Sequence, residues 1–240
     1  QRDAAIIVAD EIIDLIKGNN PKNVLNMPRI DNNTYQEVAP YMELCEKLGS
    51  FLTQYVKSPI KELNITYKGE ITKLQNKELF KRTILQGALN PITESPVSAV
   101  NASSIAESRG ITIKESESEE TDGYETLIEV KAITEKGVSS VEGTFLHEVT
   151  ITKINGYKVD VKPEGYMFIA KYKDIPGSIG AVGTIFGEEN INIGIMQVGR
   201  DISGGEAIMV LTLDTEATSD VTEKVKDLDH VKDATGINLL

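Results

Sequence analysis

Apolar and polar positions along this chain change period several times, and each change marks a predicted element. Over residues 3–17, Ile6, Ala9, Ile12, Ile13 and Ile16 recur at three- and four-residue steps, one stripe of an amphipathic helix. Gly18 and Asn19 end it, and residues 20–33, with Pro21 and Pro28, read as a linker. Val38, Met42, Cys45, Leu48, Leu52 and Tyr55 repeat the helical step and predict a second helix over 38–56, with Pro40 in its first turn. At 60–68 the period drops to two. Leu63, Ile65 and Tyr67 alternate with Glu62, Asn64, Thr66 and Lys68, the pattern of a half-buried strand.

Residues 76–89 return to helical spacing, with Leu79, Thr83, Gln86 and Leu89 along one face and Asn90-Pro91 as the stop. A short helix is expected over 100–110, closed by Gly110. The acidic run 115–122 is expected to lie in solvent near a hairpin. Residues 124–132 alternate, Glu135-Lys136-Gly137 turns the chain, and 138–147 completes an antiparallel pair. Asn155-Gly156, between 150–154 and 157–161, is a strong two-residue hairpin signal.

From residue 165 the pattern becomes a compact series. The apolar run 165–172 is broken by Asp174 to Gly177, a proline and glycine suited to a tight turn. A helix follows with Ile179, Val182, Ile185 and Phe186 on one face, while Gly180, Gly183 and Gly187 leave room for a backbone or ligand to approach. A strand begins at Ile191, residues 201–205 form a glycine-rich loop, and 207–213 is a continuous apolar strand. Thr218, Ser219 and Asp220 can cap a helix striped by Val221, Val225 and Leu228, and 230–237 closes the unit. The order is βαββαβ, a split βαβ sandwich. The three glycines after the first strand are spaced GxxGxxG and lack the close first pair of a dinucleotide-binding turn, so no nucleotide site is read there.

Composition narrows the partners. A net charge of -12 across 240 residues, with 26% charged and 40% hydrophobic residues, describes a two-domain acidic chain and argues against nucleic-acid binding, which needs a basic surface. No stretch approaches the ~18 to 20 apolar residues of a membrane span, and Gln1 is followed by no basic leader, so the chain reads as an excised piece. The single cysteine, Cys45, cannot form an internal disulfide and fits a reducing cytoplasm. His147 and His230 stand far apart in sequence without ligand-spaced neighbours, so neither a metal site nor a nucleophilic triad is expected.

Tyr172-x-Asp174-x-Pro176-Gly177, followed by a helix and then Asn190-Ile191-Asn192-Ile193, resembles the ACT domain, a small amino-acid-sensing module. By that resemblance two such units pair side by side. Asp174 and the turn amides at Pro176-Gly177, with Asn192 of the neighbouring subunit, would hold a ligand's amino and carboxylate groups, and Tyr172 would border the pocket. The chemistry suits a zwitterion, since a carboxylate accepts from the ammonium and amides donate to the carboxylate. Taken singly, Asp174 and Asn192 are ordinary turn residues; the complete βαββαβ order gives them weight.

Asn101-Ala102 with Ile105-Ala106 and Arg109-Gly110, the strand at Gly143-Thr144, and Ile154-Asn155-Gly156 resemble the intervening, or allosteric substrate-binding, domain of long-form D-3-phosphoglycerate dehydrogenases. Ser103 departs from the proline common there. Asn23 to Pro28 looks like the exit of that family's catalytic portion. The resemblance implies an α+β chain in three parts: 1–32, a terminal helix and linker; 33–163, an intervening domain with a mainly antiparallel sheet; and 164–240, a ferredoxin-like ACT domain. It further implies a cytoplasmic homo-oligomer regulated by L-serine or another small amino acid. Catalytic residues would lie just upstream of Gln1, and NAD would be a cofactor of the parent enzyme and not of this piece. Lys162, with Lys153 and Arg109, would be an anion site, although lysine lacks arginine's bidentate fork. Two alternatives stay open: an ACT pair that only holds an oligomer together, and an amino-acid sensor attached to another enzyme, such as a serine dehydratase.

Overall fold

The structure, a computed structural model, describes residues 2–16, 32–74, 77–201 and 205–240. The first helix, α1 (Arg2–Ile16), forms where its stripe predicts, with Ile6, Ile7, Val8, Ile12 and Ile13 exposed. Most of the expected linker lies outside the described residues. The second helix, α2 (Asn32–Val56), starts well before residue 38, so Pro40 sits inside it and not in its first turn. The apolar stripe begins only at Val38, which hides the earlier polar turns from a periodicity reading. Proline removes a single i→i−4 bond there, and the stripe of Val38, Leu44, Cys45, Leu48, Phe51 and Leu52 that continues the helix is fully buried.

Six strands form the first sheet: β1 (Ile60–Gly69), β2 (Thr112–Ser118), β3 (Thr126–Thr134), β4 (Gly137–Phe145), β5 (Val149–Ile154) and β6 (Tyr157–Val161), in the order β2-β1-β3-β4-β5-β6. All pairs are antiparallel except β1 with β2, whose crossover carries α3 (Lys77–Leu89) and α4 (Ala102–Ser108). The acidic run lies exposed at the sheet's edge, as its charge predicts, and its first residues, 115–118, end the edge strand β2. Cations waiting beside it make this possible: Glu115 accepts from the Tyr67 hydroxyl and the Lys81 ammonium, each at 3.1 Å, and Lys77 pairs with Glu117. On α3 the buried face is Leu79, Phe80, Ile84, Leu85 and Ala88. Gln86, expected on that face, instead reaches Glu46 at 3.3 Å. Asn155 (φ 50) and Gly156 (φ 82) turn β5 into β6 with the left-handed pair that a two-residue hairpin needs.

The second unit is βαββαβ as read: β7 (Gly165–Lys173), α5 (Ser178–Glu188), β8 (Ile193–Arg200), β9 (Glu206–Leu213), α6 (Ser219–Lys226) and β10 (Val231–Leu239). Its antiparallel sheet has the order β10-β7-β9-β8, which leaves one side of β8 unpaired among the described residues. Residues 202–204 of the expected loop lie outside the described residues. Thr218 Oγ1 accepts from the Val221 N–H at 3.4 Å and caps α6. On α5, Val182 and Phe186 are buried, but Ile179, expected beside them, is exposed. It sits in the first turn, where it lines an open cleft.

Alternation along the strands gives this sheet two apolar faces. Phe168, Ala170, Tyr172, Met209 and Leu211 lie under α5 and α6, with the Phe168 and Phe186 rings edge-on at 5.0 Å. Met167, Ile169, Ile208, Val210, Ile237 and Leu239 face the other way and share one core with α2 and the first sheet. Two glutamines stitch the join. The Gln54 amide donates to the Asn238 carbonyl at 2.7 Å and accepts from its N–H at 2.8 Å, and Gln197 does the same for the backbone of Asp160.

Candidate functional site

Residues Ile175–Ser178 make a β-turn closed by the Ser178 N–H to the Ile175 carbonyl at 3.3 Å, with Pro176 at the second position and Gly177 (φ 94, ψ -17) at the third. Those angles define a type II turn, which proline presets and glycine alone enters without strain. The buried Ser178 hydroxyl braces it from inside by donating to the same carbonyl at 2.8 Å. The Asp174 N–H donates to the Gly205 carbonyl at 2.9 Å, fixing the approach. Helix α5 begins here with no side-chain cap, and its first intrahelical bond is Ala181 N–H to Gly177 C=O. The amides of Ile179 and Gly180 are therefore donors without an acceptor inside the helix, at its positive end.

A cleft of about 420 Å³ opens at this point, lined by Tyr172, Asp174, Pro176, Gly177, Ile179 and Arg200. Tyr172 is buried, and its hydroxyl has no hydrogen-bond partner among the described residues. Burial raises its phenol pKa above the ordinary range, with the Asp174 carboxylate adding to the rise and Arg200 opposing it, so the hydroxyl stays protonated and can donate. Asp174 contacts Arg200 Nε at 3.3 Å.

Strand register explains Arg200, which the sequence reading did not single out. Ala207 on β9 pairs with both Tyr172 on β7 and Arg200 on β8, so side chains 28 positions apart flank one residue on the same face. The only linear signal was an arginine at a strand's end in an acidic chain.

Tyr172, Asp174, Pro176 and Gly177 thus share one cleft. Asn192 does not join them within the subunit. It lies at the other end of β8, about 25 Å away at ~3.3 Å per residue, exposed, with its amide donating to Asp214 Oδ2 at 2.8 Å. The three cations expected at an anion site are not brought together. Lys162 pairs with Glu164 (2.7 Å) and Glu148 (3.4 Å), Lys153 with Asp122 and Glu142, and Arg109 donates to the Ile92 carbonyl at 3.1 Å. Among the described residues no group of three or more metal-ligating side chains occurs, and no helix is long and apolar enough to cross a membrane.

A ferredoxin-like sheet with an open cleft at a type II turn is thus packed against a helix-covered, mainly antiparallel sheet, a two-domain α+β module. Residues 37–155 match the D-3-phosphoglycerate dehydrogenase intervening domain, and residues 165–230 match the ACT domain. The chain belongs to the D-3-phosphoglycerate dehydrogenase family and carries these two of its domains. It is 37% identical over 240 residues to D-3-phosphoglycerate dehydrogenase of Methanocaldococcus jannaschii, covering 100% of this chain and 45% of that protein. The Bacillus subtilis enzyme of the same name is 34% identical over 242 residues with the same two coverages, and that of Archaeoglobus fulgidus 36% identical, with 46% of its length covered. The chain therefore spans about half the length of these relatives.

Proposed function

We propose that this chain is the regulatory and oligomerisation region of an NAD-dependent D-3-phosphoglycerate dehydrogenase, and that its ACT cleft binds L-serine as a feedback effector at the joint of two subunits. The carrying observation is the buried, unpartnered Tyr172 hydroxyl beside the uncapped α5 terminus and the Asp174 carboxylate. Together they offer donors for a carboxylate and an acceptor for an ammonium. Antiparallel pairing of two β8 edges would carry the partner's Asn192 to this subunit's Arg200 end, which accounts for its distance from its own cleft. NAD and the catalytic groups would belong to the remainder of such an enzyme.

Calorimetric titration of the chain with L-serine, beside Asp174→Asn and Asn192→Ala, tests the reading. The expected result is saturable binding that weakens about tenfold or more in either variant, the loss of one charge-assisted or buried hydrogen bond. A folded dimer that binds no amino acid would put the purely structural ACT pair ahead. That second reading draws on the Arg200–Asp174 contact, which occupies the ammonium's seat from within the chain.

A further inference from the structure

Polarity is inverted around the turn that opens α5. The Ser178 side chain is turned inward, 2% exposed, with its hydroxyl directed to the carbonyls of Ile175 at 2.8 Å and Lys173 at 3.4 Å. Ile175 and Ile179, on either side of the Pro176-Gly177 pair, stay 40% and 45% exposed, and both line the effector cleft. Single exposed apolar side chains are ordinary. Two at the mouth of one cleft, on a turn whose serine faces inward, make an aliphatic wall that the rest of the described chain leaves uncovered.

This wall stands next to the polar groups that suit a zwitterion. Asp174 directly precedes Ile175, and the amide donors left without an intrahelical acceptor are those of Ile179 itself and of Gly180. A Cβ on Gly180 would meet nothing within 4 Å among the described residues, so space remains beside those amides. An α-amino acid held by its ammonium on Asp174 and by its carboxylate at the helix terminus carries its side chain on the carbon between the two. That carbon lies in the cleft that Ile175 and Ile179 flank. At about 420 Å³ the cleft falls in the range of ordinary ligand pockets and exceeds what a hydroxymethyl group requires.

We propose that Ile175 and Ile179 form a side-chain subsite for an aliphatic amino acid, so that ligands of the L-valine and L-leucine class bind this cleft in competition with L-serine. The inference rests on the reading of the cleft as an amino-acid site and concerns which side chain that site accepts. Docking of an aliphatic tail takes apolar surface of both the ligand and the two isoleucines out of water, a gain that grows with each methylene. The hydroxymethyl group of serine gains little on that wall, since its hydroxyl gives up water there.

Calorimetric titration of the unaltered chain with glycine, L-alanine, L-valine and L-leucine, followed by displacement of L-serine with L-leucine, tests it. Affinity should rise along the series by about two- to fourfold per added carbon, and saturating L-leucine should abolish the L-serine heat. In the double variant Ile175→Ser/Ile179→Ser, checked for folding by circular dichroism, the rise should flatten, while glycine, which carries no side chain, binds as before. Flat or falling affinity along the series with L-serine still bound would overturn the proposal and leave the amino-acid reading intact. Simultaneous binding of L-leucine and L-serine would overturn it too, by putting the aliphatic ligand elsewhere. A flat series in the unaltered chain, with self-association lost in the double variant, would likewise overturn it and assign the isoleucines to the subunit joint. If the folded chain bound neither glycine, L-serine nor any member of the series, the amino-acid reading itself would fall, and this subsite with it.

Discussion

Glu206 is a single carboxylate that ties three strands: it accepts from Lys171 at 2.7 Å, pairs with Lys232, and receives the Tyr157 hydroxyl at 3.4 Å. The two lysines hold its pKa down to about 2. A carboxylate with a depressed folded-state pKa contributes stability that is fully present above its unfolded value, about 4.3, and is lost as pH falls through the folded value. Glu206→Gln should therefore unfold at lower urea than the unaltered chain at pH 6, with the gap closing steadily between about pH 5 and pH 2; a gap that persists unchanged at the acid end would refute the assignment. Glu142 presents the opposite situation, a carboxylate 3% exposed and held by Lys68 at 2.6 Å and Lys153 at 3.1 Å. Removing one partner of a buried pair leaves the other uncompensated and costs about 3–5 kcal/mol. Lys68 keeps Glu129 at 3.2 Å, so Glu142→Ala should fall near the lower figure in urea denaturation, and a loss under about 1 kcal/mol, the worth of an exposed pair, would show that water reaches the site.

Helices α2 and α3 cross backbone to backbone because each carries a glycine at the contact. A Cβ on Gly87 would lie 2.1 Å from the Glu46 carbonyl oxygen, and one on Gly49 2.2 Å from that of Ile84. Alanine gains about 1 kcal/mol of helix propensity over glycine, but such an overlap forces the helices apart at about 1–3 kcal/mol or more. Gly87→Ala should thus destabilise the chain on balance. On α5 the balance reverses, since a Cβ on Gly183 meets nothing within 4 Å among the described residues, and Gly183→Ala should raise stability by about 0.5–1 kcal/mol. Thermal melts of the two variants should move in opposite directions; a destabilised Gly183→Ala would mean that another surface lies against α5. Elements of this kind were largely legible in the linear pattern. Period two gave β1, the Asn155-Gly156 pair gave the β5–β6 hairpin, and the cap at Thr218 gave α6. Misreadings arose where contacts outside the segment decided the matter. Packing of α3 on α2 and the sheet chose Phe80 and Ile84 over Gln86.

For the molecule as a whole, the legible part of the candidate site is the part that is local in sequence. Tyr172 through Gly177 sit on one strand end and turn, whereas Arg200 reaches them only through the register of β7, β9 and β8, which no linear spacing encodes. The join between domains was hidden for the same reason. The βαββαβ order left open what would cover the second face of its sheet, and α2, more than a hundred residues earlier, covers it. Six side chains on that face, Met167, Ile169, Ile208, Val210, Ile237 and Leu239, are all at most 3% exposed. At about 1.5–3 kcal/mol each, their burial contributes on the order of 10 kcal/mol, comparable to the entire stability of a small domain. An ACT unit that lost this cover would have little stability left, so the two domains should unfold together. Calorimetry should find one transition with equal calorimetric and van't Hoff enthalpies, whereas independent domains would give two components or a ratio well above one. Val210→Lys places a charge in the middle of the join and should separate the transitions, the ACT unit melting first. A variant that still melts as one unit would show that the glutamine clasps at Gln54 and Gln197, and not the apolar face, carry the coupling.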